Sequence, residues 1–282
     1  MKRSVVPVFP VVFALALASA CGQTPPDNGQ TPAAAREKRD PPATAPDFGF
    51  SATFSIVAAD PQSGVCGAAV ASKYPAVGKV VPAARGGVGA FCTQHWHNPD
   101  WRERALDLLA AGQSPGEVLA ALTRDDPRRA QRQLAIIDAQ GNTAIHQPTA
   151  AGKESQWWGA ASGRFYACQG NTLTGRDVVA AQAAAFENTN GSLADRLLAA
   201  LVAGDCAGGD HRGRLAAGIV VAKPGLEGYW LELQVEASDD AVIELARKYV
   251  ELAHDAKGAW PAGKPPWQHP CPRRPAPKAP AP

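Results

Sequence analysis

The sequence is short of net charge, of closely spaced cysteines and of familiar catalytic signatures, and each lack narrows what the chain can be. Its 28 Lys and Arg stand against 26 Asp and Glu, a formal charge of +2. The basic residues are scattered among acids, with no basic stripe interleaved with aromatics, which argues against a nucleic-acid partner. No C-x-x-C occurs among the six cysteines, so zinc-ribbon and thioredoxin-like readings fall away. There is no G-x-S-x-G, H-E-x-x-H, S-x-x-K or Gly-rich phosphate loop. That removes the common serine hydrolases, zinc proteases, β-lactamases and nucleotide-binding folds, and no cofactor or metal is expected.

An apolar stretch runs from Val5 to Ala18 and is too short to span a bilayer as a stable helix. Preceded by Met1-Lys2-Arg3 and ending in Ala18-Ser19-Ala20, it reads as a signal peptide over residues 1–20. Cys21 then stands where a lipoprotein processing site requires it, although Ala18 replaces the usual Leu three residues before; ordinary secretory cleavage at the same bond is the alternative. A lipid with several acyl chains on Cys21 would hold the mature protein at a membrane surface without a transmembrane helix. Gly22, with no Asp after the Cys, resembles lipoproteins sorted to an outer membrane, so the expected address is the cell envelope, facing the periplasm. In that oxidising compartment disulfides are the default for most of Cys66, Cys92, Cys168, Cys206 and Cys271, with at least one left over because the number is odd. Cys206 with Cys271 has a physical motive: the tail around Cys271 is otherwise too polar and Pro-rich to dock.

Residues 21–49 and 256–282 are rich in Pro, Ala and polar side chains without apolar periodicity, and cannot bury enough surface to offset ordering entropy. They read as a tether and a polyproline-like tail around a domain at 50–255. Within it, Thr53 to Ala59 and Val65 to Ser72 predict a hairpin closed by Asp60-Pro61-Gln62-Ser63-Gly64. Strands are also expected from Val88 to Gln94, Gln131 to Asp138, Thr143 to Gln147, Arg164 to Gln169, Leu215 to Ala222 and Tyr229 to Val235. Helices are expected over Pro99 to Ala111, from the capping box Ser114-Pro115-Gly116-Glu117 to Leu122, from Thr174 to Glu187, from Ser192 to Ala203 and from Asp239 to Ala253. Blocks of strands followed by blocks of helices predict an α+β fold with two central sheets and helices outside, rather than a doubly wound sheet.

Several segments occur together in a recognisable order. They are Thr53-Phe-Ser-Ile-Val-Ala, Ala69-Val-Ala-Ser72 through Ala76-Val-Gly78, Val80-Val-Pro82, and Gly87-Val-Gly-Ala with Thr93-Gln94 and Asn98-Pro99. They continue with Asp126-Pro127, Arg129-Ala-Gln-Arg-Gln133, the Trp158-Gly159 to Tyr166 block, Gln169-Gly170-Asn171, Gly208-Gly209-Asp210 and Arg212-Gly213. In order and spacing they resemble the bacterial domain-of-unknown-function family 1028, whose members are similar to Ntn (N-terminal nucleophile) hydrolases. The resemblance implies a four-layer αββα sandwich of two stacked sheets with helices on both outer faces. It also implies hydrolysis of an amide or related C–N bond in a small-molecule or peptide-like substrate.

Under that resemblance the nucleophile is Thr53. A Thr hydroxyl is weak at its free pKa, and its own α-amine can take the proton only if Thr53 is the first residue. Ala52 and the tether precede it here, so the Ala52–Thr53 bond would have to be cut; a Thr that merely packs at the start of a strand is the alternative. Lys73, beside Ser72, is a candidate to stabilise developing negative charge, or a solvated strand-end Lys. Gln169 and Asn171 flank Gly170 as oxyanion donors or as a strand-to-helix turn. Asp210 and Arg212 suit an Arg–carboxylate pair that orients a substrate acid or stiffens the loop, although Arg214-Leu215-Ala216 departs from the polar continuation the family shows. His95-Trp96-His97 could place two imidazoles on one strand face, a surface His-x-His being the expectation in the absence of a third metal ligand. Cys92 with either His would make a thiol nucleophile unless it is in a disulfide. A noncatalytic envelope lipoprotein that binds a small ligand or envelope component is the competing function.

Overall fold

The computed structural model describes residues 50–51, 53–149 and 155–255. The expected signal peptide, Cys21, the tether, the Pro-rich tail and Cys271 lie outside these residues. In chain order the strands are β1 (Phe50–Ser51), β2 (Thr53–Asp60), β3 (Val65–Ser72), β4 (Pro82–Arg85), β5 (Gly89–Trp96), β6 (Arg132–Asp138), β7 (Thr143–His146), β8 (Gly159–Gly163), β9 (Tyr166–Gly170), β10 (Ala216–Ala222) and β11 (Leu231–Val235). The helices are α1 (Trp101–Ala110), α2 (Pro115–Thr123), α3 (Asp177–Asn188), α4 (Leu193–Cys206) and α5 (Ala241–Asp255).

The strands form two antiparallel sheets. One has the order β11-β10-β3-β2-β9-β8. In the other, β5 pairs with β6 on one side and β7 follows; β4 and β1 share the opposite edge of β5, Pro82–Arg85 against Gly89–Cys92 and Phe50–Ser51 against His95–Trp96. The class is α+β, as the element order predicts.

Alternation along the strands sorts the apolar residues into three clusters. Val57 and Ala59 of β2 and Cys66, Ala68 and Val70 of β3 meet Ala90 and Cys92 of β5 and Ala135 and Ile137 of β6, so the sheets face one another here. The intervening residues Phe54, Ile56, Ala69 and Ala71 turn the other way, onto Val178 and Phe186 of α3, Leu197, Leu198 and Leu201 of α4, and Leu245 and Tyr249 of α5. Phe91, Leu134 and Ile136 of the second sheet pack on Leu106 and Leu109 of α1 and Val118 and Leu122 of α2. Fully burying each Leu, Ile or Phe of this kind contributes roughly 1.5–3 kcal/mol.

Of the three helix starts expected at Ser114, Thr174 and Ser192, two form capping boxes: Ser114 with Glu117 starts α2, and Ser192 with Asp195 starts α4. Thr174 caps nothing. Its amide donates to Gly209 O at 3.1 Å, and α3 begins three residues later at Asp177 without a side-chain cap. Strands β1, β4 and β8 were not legible beforehand. Pro82 opens β4, where a missing N–H does no harm on an edge, and Gly159–Gly163 of β8 has too little apolar alternation to signal an edge strand.

The cysteines correct the expectation of widespread disulfides. Cys66, Cys92 and Cys168 are free and buried. Cys66 and Cys92 sit in the apolar layer between the sheets and Cys168 faces the helices, where they act as small hydrophobes. Cys206 is not among these free thiols, and its expected partner Cys271 lies outside the described residues. No helix among the described residues is long and apolar enough to cross a membrane.

Candidate functional site

The layer between the sheets changes character at one end. Following each inward row outward, Val57 gives way to Ser55 and Thr53 on β2, Val70 to Ser72 on β3, Cys92 to Gln94 on β5, Ala135 to Gln133 on β6 and Ala167 to Gln169 on β9. All six polar side chains are buried. A patch of this kind must satisfy its own hydrogen bonds, since an unmet buried polar group costs about 1–3 kcal/mol.

It does so with neutral amides and hydroxyls. Gln94 Nε2 donates to Thr53 O at 3.2 Å and to Gln133 Oε1 at 2.7 Å, while Gln94 Oε1 accepts from Ser55 Oγ at 2.6 Å. Gln133 Oε1 also accepts from Asn171 Nδ2 at 2.9 Å, and Gln133 Nε2 donates to Gln147 Oε1 and to Gly170 O, both at 2.9 Å. The Thr53 carbonyl receives a second donor, the amide of Asn171 at 2.9 Å. The Thr53 hydroxyl lies 3.4 Å from Ser72 Oγ, which accepts from Tyr74 N at 2.8 Å. Asn171 Oδ1 is buried and has no hydrogen-bond partner among the described residues.

The wall beside this network is braced. Thr172 adopts φ +52°, the left-handed region that a β-branched residue enters at a cost, and its hydroxyl donates to Asn171 O at 2.6 Å. The Thr172 carbonyl accepts from His211 N at 3.0 Å. Asp210, whose side chain is 1% exposed, takes Arg212 Nε at 3.1 Å and Nη2 at 2.8 Å. Asp210 also lies 3.4 Å from Lys73 N, while Lys73 Nζ donates to Arg214 O at 3.2 Å. The Asp210–Arg212 pair therefore stiffens the loop that abuts residues 171–174, and the Lys73 ammonium is committed to the same loop.

Of the residues expected from the sequence, Thr53, Ser72 and Asn171 come together. Gln169 is close by but acts as a strut between the sheets: its Nε2 donates to Leu134 O at 3.0 Å and its Oε1 accepts from Ala135 N at 3.2 Å. His95 and His97 are not a surface pair. Both are buried, and His95 has φ +66°, which breaks strand alternation. His95 Nδ1 lies 2.5 Å from Gln131 O; a carbonyl only accepts, so that nitrogen carries the proton and Nε2 is left to accept from Ser155 Oγ at 3.3 Å. His97 packs edge-on against Tyr74, with ring centroids 5.3 Å apart. Among the described residues no group of three or more His, Cys, Asp or Glu is arranged to hold a metal ion. Cys92 is no thiolate nucleophile, because burial pushes its thiol up to about 12, against a smaller lowering by the Ser55 hydroxyl.

Ser55, Gln94, Gln133 and Gln147 were not singled out from the sequence as site residues. The signal was there in phase: Ser55, Gln94 and Gln133 fall on inward positions of strands whose other inward residues are apolar.

No curated protein matches the chain. Among solved structures, a crystal structure of protein SPO2555 from Silicibacter pomeroyi, itself described as DUF1028, matches with a TM-score of 0.65 and 30% identity, covering 72% of this chain and 87% of that one. The model of DUF1028, described as a family of unknown function, matches residues 53–245, so its first matched residue is Thr53. The chain belongs to the DUF1028 family.

Proposed function

We propose that the domain is an αββα-type Ntn hydrolase that cleaves an amide or related C–N bond through its Thr53 hydroxyl. The observation that carries this reading is the setting of Thr53. It opens a central strand at the polar end of the inter-sheet layer, with its carbonyl held by two donors and its hydroxyl beside Ser72. Three apolar layers, between the sheets and outside each, are what an αββα sandwich requires.

The chemistry follows from the neutral surroundings. An α-amine with a pKa of about 7.7–8.0 can take the Thr53 proton near neutral pH. The hydroxyl oxygen then bonds the substrate carbonyl carbon, the C–N bond breaks with the proton delivered to the leaving amine, and water hydrolyses the resulting ester. Asn171 Oδ1, a buried acceptor beside the pinned Thr53 carbonyl, suits an N–H of the amine or of the substrate. All of this needs the Ala52–Thr53 bond cut.

Residues 1–20 direct export in this reading, and Cys21 carries the lipid that holds the precursor at the envelope. The second reading, a noncatalytic envelope lipoprotein, is favoured by one observation: strand β1 continues the chain ahead of Thr53, whose side chain is fully buried. The N-terminal residue of the protein purified from envelopes separates the two. A domain that begins at Thr53 supports the hydrolase; an intact tether with lipidated Cys21 supports binding. Thr53→Ala should then abolish turnover in a screen of small amides and acylated amino acids, and unchanged turnover sinks the hydrolase reading.

A further inference from the structure

Strand β1 is two residues long and pairs with the far end of β5, Phe50 opposite Trp96 and Ser51 opposite His95. It leads within one residue to Thr53, the first residue of β2 in the other sheet. Along the same edge, β4 covers β5 only from Gly89 to Cys92, and β6 occupies the opposite edge as far as His95. The edge at His95–Trp96 is thus taken by the segment that ends at the Ala52–Thr53 bond.

That end of β5 is held in place from its other side. Arg132 Nη1 donates to Trp96 O, and the same guanidinium pairs with the half-buried Asp126 at 2.8 and 3.1 Å. Arg128 stacks over the Trp96 ring at 5.0 Å, and His95 is tied to Gln131 and Ser155. None of these contacts involves β1, so the edge keeps its shape when β1 leaves.

We infer that the His95–Trp96 edge of β5 is the acyl-side subsite of the active site. The substrate is then an extended, peptide-like acyl chain that adds to this edge where β1 now lies. The inference rests on Thr53 being the nucleophile. When Thr53 Oγ attacks the Ala52 carbonyl, the O–C bond forms, the Ala52–Thr53 C–N bond breaks, and the proton moves from hydroxyl to amine. Residues 50–52 are then an acyl group esterified to Thr53, with Phe50 and Ser51 paired along β5. A substrate's acyl-enzyme has the same ester at the same atom, so its chain is led along the same edge, by main-chain hydrogen bonds of the β-addition kind. Hydrolysis of the first ester releases β1 and opens the subsite. The chain's own occupant places the small residue Ala52 next to the bond and two main-chain amides beyond it, which selects peptides or N-acylated peptide amides over simple amides.

The probe is a fluorescein-labelled peptide of residues Asp47 to Ala52, measured by anisotropy on full-length Thr53→Ala, which cannot cut its own tether, and on a full-length Phe50→Gly/Ser51→Pro/Thr53→Ala variant. The variant, whose β1 no longer pairs, should bind at least tenfold more tightly than the intact chain; equal binding by two equally folded chains overturns the subsite. In antiparallel pairing only one of two neighbouring residues directs its N–H to the partner strand. N-methylation of the peptide at either Phe50 or Ser51, but not at both positions alike, should therefore cost tenfold or more, and no loss at either position overturns it. A measurement independent of the β1 variant is amide exchange on full-length Thr53→Ala. Millimolar unlabelled peptide should speed exchange at whichever of Phe50 and Ser51 directs its N–H to β5, and unchanged exchange at both counts against the proposal. Neither binding readout needs the Thr53 hydroxyl, whereas self-cleavage and turnover do, so a failed nucleophile and a failed subsite give different results.

Discussion

The side-chain amide of Gln94, on one sheet, donates to the main-chain carbonyl of Thr53, on the other, at 3.2 Å. Through this bond the position of the candidate nucleophile depends on β5, and the polar end of the inter-sheet layer acts as one unit with Ser55, Gln133 and Asn171.

Replacing Gln94 by Leu keeps the volume and removes three hydrogen bonds at once. It strands the Ser55 hydroxyl in a buried place and leaves Thr53 O with one donor, the Asn171 main-chain N–H. The expected loss is about 2–4 kcal/mol in urea unfolding. Gln94→Glu, which keeps the shape but replaces the Nε2 donor, should fall below wild type as well. A Gln94→Leu protein of unchanged stability would show that the network is not cooperative.

Gly86 and Gly112 predict unequal costs for the same substitution. A Cβ at Gly86 would lie 2.0 Å from Lys223 C and 2.2 Å from Lys223 O, main-chain atoms that cannot step aside. Gly112 has φ +86° and open space around it. Gly86→Ala should cost about 3 kcal/mol or more, and Gly112→Ala about 1–2 kcal/mol from its backbone alone. Thermal unfolding of the two variants, run side by side, checks the order.

The buried thiols make the fold sensitive to alkali. Desolvation raises Cys66 and Cys92 from 9.0 to about 12, so both stay protonated in the folded state where the unfolded chain would ionise. Their contribution is complete below pH 9.0 and is lost as pH rises towards about 12. The loss is about 1.4 kcal/mol per pH unit for each thiol. Cys92→Ala should reduce the slope of stability against pH above 9.0, even though its cavity lowers stability at neutral pH. A thiol-reactive dye should label none of Cys66, Cys92 and Cys168 in the native protein and all three after unreduced unfolding. If Cys206 pairs with Cys271 and Cys21 carries lipid, those three are the whole count.

Asp126 and Arg132 are an ion pair with side chains each 8% exposed, and Arg132 also holds the end of β5 through Trp96 O. Removing one partner leaves a buried charge, so Asp126→Ala should cost about 3–5 kcal/mol. Reintroducing an acid as Asp126→Glu should recover part of that. Chemical denaturation of the two variants decides whether the pair braces β5 or merely decorates it.

Local periodicity by itself determined the β2–β3 hairpin, both capping boxes, the five helices and the α+β class. Those depend on spacings of two and of three to four residues, which a linear chain displays openly. The family resemblance, not periodicity, singled out Thr53, because the family-like run begins there. Only the tertiary structure decided that Gln94 and Gln133 reach Thr53 and Asn171, that Gln169 is a strut, and that Cys66, Cys92 and Cys168 are core thiols. Those facts depend on which face of one sheet meets which face of the other, and pairing between residues some 40 positions apart leaves no mark in any short window. The edge strands β1, β4 and β8 stayed hidden because runs of two to five residues built mostly of small side chains display too little alternation, and β1, the shortest of them, is the one that leads into Thr53.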